Sequence, residues 1–466
     1  MKNVVIVNRR LEDKIMTDVK YFDVPLPEDI LREKMSGYFD NCIKLIDRRV
    51  KRDIPEVLRQ RLLLEKEVIE RLPQQYPYTK EDVLDMFKEY IPSFSMEDID
   101  ELMELNQFEW IYINGVKHFH EGCFDNILKT RKDIVCTIVN EDKRNHELMP
   151  KTELNEIMKV MKEKGGVRYF IRLKTTIKIN KEKEGKRIKV YIPLPIQYHQ
   201  VENVKIINTS HENYILSPRD HNARTLCYDT IYEKGMDFFV EFSYEMYSPY
   251  IEYNYKEVWD NQPTYYTEEL APHIVFTPYL KKLASEIIGN EKNPYLKAKK
   301  IYDYITTHVI YSFVRGYFAI EQIAEFSAVN LKGDCGLQAL MFITLCRIVG
   351  VPARWQAGLY ISKDSTGNHD WAEIYIAPFG WLPVDCSFGG GSVRENNEER
   401  RQFYFGHLDP FRMPACNDYQ VPLYPEKEYQ RHDPYDNQTG EVEYEDEGLI
   451  MNDFETFNEV IELKEI

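Results

Sequence analysis

Three residues in the second half of the chain stand in an order that could do covalent chemistry. Cys335 lies in Gly333-Asp334-Cys335-Gly336, His369 opens His369-Asp370-Trp371-Ala372-Glu373-Ile374-Tyr375, and Asp385 closes Gly380-Trp381-Leu382-Pro383-Val384-Asp385. A thiol, an imidazole and a carboxylate form the set used for nucleophilic acyl transfer: the base activates the nucleophile, and the acid fixes the base's orientation and tautomer. Cys335 begins a helical pattern in which Leu337, Leu340, Met341, Leu345 and Ile348 point inward. Unpaired N–H groups at a helix start favour a thiolate, which takes a thiol from about 8.5 towards ~3.5–7.5 when a basic partner is close. The flanking glycines let backbone approach a substrate carbonyl. Alternation along the next segment puts His369, Trp371, Glu373 and Tyr375 on one face, and the turn Ala377–Gly380 returns Asp385 towards His369. Gly336 and Trp371 are therefore expected to line the cleft. A lone cysteine on an amphipathic helix is ordinarily core, as we read Cys346; the ordered set of three changes that reading for Cys335.

These segments resemble the transglutaminase-like cysteine enzyme superfamily. Its pattern of G-x-C, then G-[IV]-P-A-R, then H-x-W-x-E-[VI]-Y, then G-W-x-x-x-D is met by Gly333–Cys335, Gly350-Val351-Pro352-Ala353-Arg354, His369–Tyr375 and Gly380–Asp385, within about 295–388. The resemblance implies Cys335, His369 and Asp385 as catalytic residues, with the cysteine helix packed on an antiparallel sheet in a papain-like arrangement. Family members commonly follow the aspartate with Pro-[ST]; here Cys386-Ser387 follows, read as a strand end with Cys386 a small buried residue. The first oxyanion donor is expected to be the Cys335 N–H. Tyr311, read as ending the preceding helix, is the candidate for the second, with packing its competing role.

The elements that must position these groups suggest an α+β multidomain chain, since 466 residues exceed one compact core. Residues 1–164 read as mainly helical. Ile30, Leu31, Met35, Tyr38, Phe39, Cys42, Ile43 and Ile46 form one stripe, and Thr79/Asp82 and Ser95/Asp98 look like capping boxes. Phe108–Ile113, Asn114-Gly115 and Val116–His120 read as a hairpin with a type I′ turn. After Gly165-Gly166 the period falls to two: Ile171, Leu173, Thr175, Ile177 and Ile179 alternate with Arg172, Lys174, Thr176 and Lys178, so 165–252 is assigned to a β-sandwich. Residues 253–412 form the transglutaminase-like domain, with helices from Asn293-Pro294 and Cys335 and strands Ala353–Ile361, His369–Ile376 and Trp381–Ser387. Residues 413–466 read as an acidic extension. Its Phe454, Phe457, Val460, Ile461 and Leu463 lie near helical spacing and could cover the cleft.

Charge and composition exclude other classes. A net charge of −17 disfavours nucleic acid and anionic lipid as partners, and no apolar run approaches a membrane span. The apolar run Val4–Val7 is too short for a signal-peptide core, and eight scattered cysteines fit free thiols, so cytoplasmic residence is expected. No cofactor or metal is expected. His118-x-His120-x-x-Cys123 with Cys136 has zinc-ligand residue types, but an H-x-H on a hairpin is usually a surface pair; no calcium loop occurs. Gly389-Gly390-Gly391-Ser392 lacks the lysine of a phosphate loop and reads as a flexible turn beside the site. The expected function is a thiol hydrolase or acyl transferase acting on peptide, isopeptide or side-chain amide bonds of a protein or peptide. Hydrolysis is favoured over crosslinking because calcium-loop features are absent. Removal of glycans from peptides and a noncatalytic scaffold are the alternatives.

Overall fold

A computed structural model describes residues 19–149, 152–198, 200–363, 365–450 and 452–466; the Val4–Val7 run lies outside them. Both capping boxes form. The Thr79 N–H donates to Asp82 at 2.8 Å and the Ser95 N–H to Asp98 at 2.7 Å, opening helices Lys80–Tyr90 and Met96–Glu104. The single stripe expected over 30–46 is instead two helices, Glu28–Met35 and Phe39–Arg49. The break is at Gly37, whose φ of +75° and approach to the Tyr112 carbonyl (a Cβ would lie 2.0 Å from its oxygen) no other residue would tolerate. Ile30, Phe39, Cys42 and Ile46 stay buried, while Met35 is 70% exposed. The hairpin pairs β1 (Trp110–Ile113) with β2 (Val116–Phe119) through Asn114 and Gly115, both at positive φ.

The sandwich begins with β3 (Gly166–Ile179), β4 (Arg187–Pro193), β5 (Val201–Thr209), β6 (Ile215–Leu216), β7 (Thr225–Ile231) and β8 (Asp237–Pro249). Ile171, Leu173, Ile177 and Ile179 face its core against Val190, Phe238, Val240 and Phe242. The cysteine-helix region follows with β9 (Ile310–Tyr311), β10 (Lys332–Gly333), β11 (Ala353–Ile361), β12 (Thr366–Ile376), β13 (Gly380–Val384) and β14 (Arg412–Cys416). Two last strands, β15 (Glu441–Tyr444) and β16 (Phe454–Glu465), return to the sandwich, giving sheets ordered β16-β3-β8-β5 and β15-β4-β7-β6.

The near-helical spacing of 454–463 thus gives way to a strand. The reason is visible across the ladder, where Glu455, Glu459 and Glu462 of β16 register with Lys178, Lys174 and Arg172 of β3. Acids that look like a solvated tail are matched to the basic outer face of β3, as opposite-charge cross-strand pairs prefer.

In the cysteine-helix region the antiparallel sheet runs β13-β12-β11-β14. Helix Cys335–Ile348 packs on β11 and β12 and beneath helices Pro294–His308 and Ile323–Asn330. It is buried from Gly336 to Arg347, so all of its faces are covered, which no single amphipathic stripe foretells. Gly350 at φ 78° stops it before Val351-Pro352. Arg354 and Glu373, from two of the sequence motifs, are register partners on β11 and β12 and form a buried ion pair, with the Arg354 Nε at 2.8 Å from the carboxylate and the guanidinium over the Trp381 ring. Their work is to hold the sheet.

Candidate active site

Cys335 is the first residue of its helix, and Asp334 is the N-cap, accepting the Leu337 N–H at 3.1 Å and the Tyr317 hydroxyl at 2.6 Å. The tyrosine fills the space beside Gly336, where a Cβ would lie 2.1 Å from its oxygen. Gly336 is thus a packing position against Tyr317 and does not line the cleft as expected. Just before the helix, β10 pairs parallel with β9 in the register Gly333–Tyr311. Tyr311 therefore lies on a short strand beyond the helix that ends at His308, a correction to its placement at a helix end. Lys129 lies 3.9 Å from its ring centroid and the Arg394 guanidinium 5.7 Å.

The thiol of Cys335 donates to Asp370 Oδ2 at 3.5 Å. Burial, then the Asp370 and Asp334 carboxylates, push it well above an ordinary thiol, so the stabilisation expected from a helix N-terminus is outweighed in this arrangement. Burial and the neighbouring Asp334 and Asp433 raise Asp370 as well, and its other oxygen takes a hydrogen bond from Gln438. Burial brings Asp334 up to about 6. Asp370, Asp436 and Gln438 line the cavity on the thiol side, and the last two come from the segment joining β14 to β15.

His369 Nε2 lies 2.7 Å from Asp385 Oδ2, with both side chains buried. Asp385 Oδ2 also accepts from Arg412 Nη1 at 2.9 Å, while Oδ1 accepts from the Phe388 N–H at 2.9 Å and the Ser387 hydroxyl at 3.1 Å. Against the cost of burial, His369 and Arg412 hold this carboxyl well below its usual range. Burial lowers His369 despite Asp385. A neutral ring facing an ionised carboxylate carries its proton on Nε2, which leaves the Nδ1 lone pair; Nδ1 makes no hydrogen bond among the described residues. The ring lines a cavity of about 220 Å³. Tyr311 and Asn368 line both this cavity and the one that holds Cys335.

Trp371 is wholly buried, donates to Gln356 Oε1 at 2.5 Å and stacks at 5.8 Å from the His369 ring. It is a floor under the imidazole, which corrects its expected place in the cleft. Gly389–Ser392 is not a turn; it lies in helix Cys386–Arg394, capped by Asp385, and a Cβ on Gly389 would lie 2.1 Å from the Tyr302 hydroxyl. The glycines let a helix pack where a side chain would collide, and Cys386 begins that helix where a strand end was expected. Cys346 and Cys386 are buried. In the N-terminal hairpin a His120 ring nitrogen accepts the Gly122 N–H at 3.1 Å and His118 bonds the Tyr76 carbonyl. Among the described residues no group of three or more His, Cys, Asp or Glu could hold a metal, and no helix is long and apolar enough to cross a membrane.

Residues 281–386 match the model of the transglutaminase-like superfamily. An uncharacterized protein of Haemophilus influenzae is 25% identical over 239 residues, 42% of this chain; the match spans 63% of that relative's length. Among solved structures, a protein described as a candidate cysteine protease from Cytophaga hutchinsonii is 14% identical, covering 65% of this chain and 90% of that one with a TM-score of 0.39. The periplasmic domain of TgpA from Pseudomonas aeruginosa is 12% identical, covering 50% of this chain and 93% of its own at 0.28. With the motif positions around Cys335, His369 and Asp385 inside the matched segment, the chain carries a core of the transglutaminase-like superfamily.

Proposed function

We propose that this chain is a cysteine-dependent hydrolase or acyl transferase for peptide, isopeptide or side-chain amide bonds, with Cys335 as nucleophile, His369 as base and Asp385 as its orienting partner. The observation that carries the reading is the buried His369–Asp385–Arg412 chain. It favours the tautomer with the proton on Nε2 and leaves Nδ1 without a hydrogen-bond partner among the described residues, in a cavity that shares Tyr311 with the thiol's. In the reaction, the Cys335 proton passes to Nδ1 and sulfur attacks the carbonyl carbon. The Cys335 N–H and the Tyr311 hydroxyl then receive the oxyanion. The carbon–nitrogen bond breaks as the imidazolium returns its proton to the departing amine, leaving a thioester that water cleaves by the same base. We place this work in the cytoplasm, where eight unpaired thiols persist.

The Cys335–Asp370 hydrogen bond favours a second reading, a noncatalytic scaffold, because it opposes ionisation of the thiol. A peptide-amide screen with wild type, Cys335→Ala and His369→Ala decides between them. Cleavage that both variants abolish supports the enzyme. Wild-type protein without cysteine-dependent turnover of any amide supports the scaffold.

A further inference from the structure

The two sides of the site differ in charge. The thiol side is lined by Asp334, Asp370, Asp433 and Asp436, with Arg315 there paired to Glu109 at 3.3 Å, whereas the imidazole side is lined by Lys129, Arg394 and Arg400 and by no carboxylate. Arg400 is committed: it donates to Ser392 at 3.0 Å and Asn155 at 3.1 Å and pairs with Glu395. Arg394 is not. It closes the last turn of helix Cys386–Arg394, and its guanidinium lies over the Tyr311 ring and makes no hydrogen bond or ion pair among the described residues. A half-buried guanidinium without an acceptor, facing a cavity with a reactive imidazole, is a ready-made receptor for a planar anion, because its paired N–H groups match a carboxylate.

We propose that the amide cleaved here bears a carboxylate on its leaving side, and that Arg394 is the specificity residue that receives it. The inference rests on the reaction proposed above, in which the departing amine takes its proton from His369 and so occupies the imidazole side. On the thiol side Arg315 is already paired with Glu109 among crowded carboxyl groups, a poor seat for the same carboxylate. The cavity of about 220 Å³ beside the imidazole has room for a single amino-acid unit, and Lys129, Gly391 and Arg394 also line an adjoining cavity of about 880 Å³ into which a longer leaving group would extend. The smallest leaving group is thus an amino acid or a short acidic amine, and the amide then has the form acyl–NH–CHR–COO⁻.

The minimal probe is N-acetylglycine against N-acetylglycinamide, titrated calorimetrically into the full chain carrying Cys335→Ser, so that binding needs no turnover. The acid should bind at least about tenfold more tightly than the amide, since one charge-assisted bidentate contact separates them. Arg394→Met should abolish the difference and Arg394→Lys restore part of it, with melting temperatures confirming folding. Inorganic phosphate serves as a parallel arm, and tighter binding of phosphate than of the acid would reassign the pocket to phosphate and overturn the proposal. Undetectable acid binding, equal binding of acid and amide, or a difference that survives Arg394→Met would also overturn it. Wild-type turnover of matched peptides ending in acid or amide separates the two ideas. Equal cleavage of both sinks the carboxylate pocket and leaves the enzyme standing. Acid-selective binding without cysteine-dependent cleavage leaves the pocket and sinks the reaction.

Discussion

Arg412 offers a test of how the imidazole is held, because it is wholly buried between two wholly buried carboxylates, Asp385 at 2.9 Å and Asp409 at 2.7 Å. With an effective dielectric of about 20, each contact is worth roughly 6 kcal/mol of Coulomb attraction. Desolvation of the three charges offsets most of that in the intact set. Replacement by Met keeps much of the volume but leaves both carboxylates buried without their cation, a loss of about 3–5 kcal/mol. For a chain of 466 residues melting as one unit that is a drop of roughly 3–5 °C, and the buried Trp371, whose ring lies 5.4 Å from the guanidinium, should report the transition by fluorescence. The pH dependence carries a sign. Asp385 is depressed in the folded protein, so its contribution is complete above the ordinary carboxyl range and is lost as pH falls through the folded value. Without Arg412 its proton affinity rises, and a proton relieves the stranded charge. The cost of Arg412→Met should therefore be smaller at pH 5 than at pH 8, and adding Asp409→Asn should recover part of it. A loss below about 1 kcal/mol at pH 8, or an equal loss at both pH values, would refute the buried-cation account.

Asp370→Asn should speed iodoacetamide labelling of Cys335 at neutral pH and move its profile to lower pH, because a like charge no longer opposes the thiolate; an unchanged profile in peptide-mapped mass spectra would remove Asp370 as the cause. Tyr311→Phe should lower kcat by about 10²–10³ if its hydroxyl receives the oxyanion, whereas unchanged turnover would make it a packing residue. Gly389→Ala should cost about 1–3 kcal/mol in urea unfolding, since the new methyl meets the Tyr302 hydroxyl, which donates to the Arg401 carbonyl at 2.5 Å; a neutral result would contradict that packing. Cys335→Ala should leave the melting temperature within about 1 °C, as expected where a side chain at a cleft adds little packing; a large drop would recast the residue as core.

Local chemistry was the legible part of this chain. Capping boxes, the Asn114-Gly115 turn and the alternation of Ile171 through Ile179 each depend on neighbours a few residues apart, and the structure contains all of them. The His369–Asp385 contact was legible for the same reason, since a short turn joins β12 to β13. Groups delivered from afar were not. Arg412 reaches Asp385 from β14, and Gln438 reaches Asp370 from 68 residues away; nothing beside either residue announces the meeting. Asp370 occupies the unspecified position of its motif, so its bond to Cys335 had no signal either. Trp371 misled because strand alternation assigns a face without saying whether that face is open; here it is closed beneath the imidazole.

The return of β15 and β16 to the sandwich has a consequence for synthesis. β3 and β4 emerge from the ribosome early, yet their outer partners are β16 and β15, encoded after the entire cysteine-helix region. At about 5–20 residues per second, the interval between β3 and β16 is roughly 15–60 s. Throughout it, both sheets present an open edge to any passing strand. A ribosome-stalled chain ending near residue 435 should accordingly hold a folded cysteine helix beside a half-built, sticky sandwich. Supplying a synthetic peptide of the β16 sequence in trans should cap the open edge of β3 and suppress its self-association.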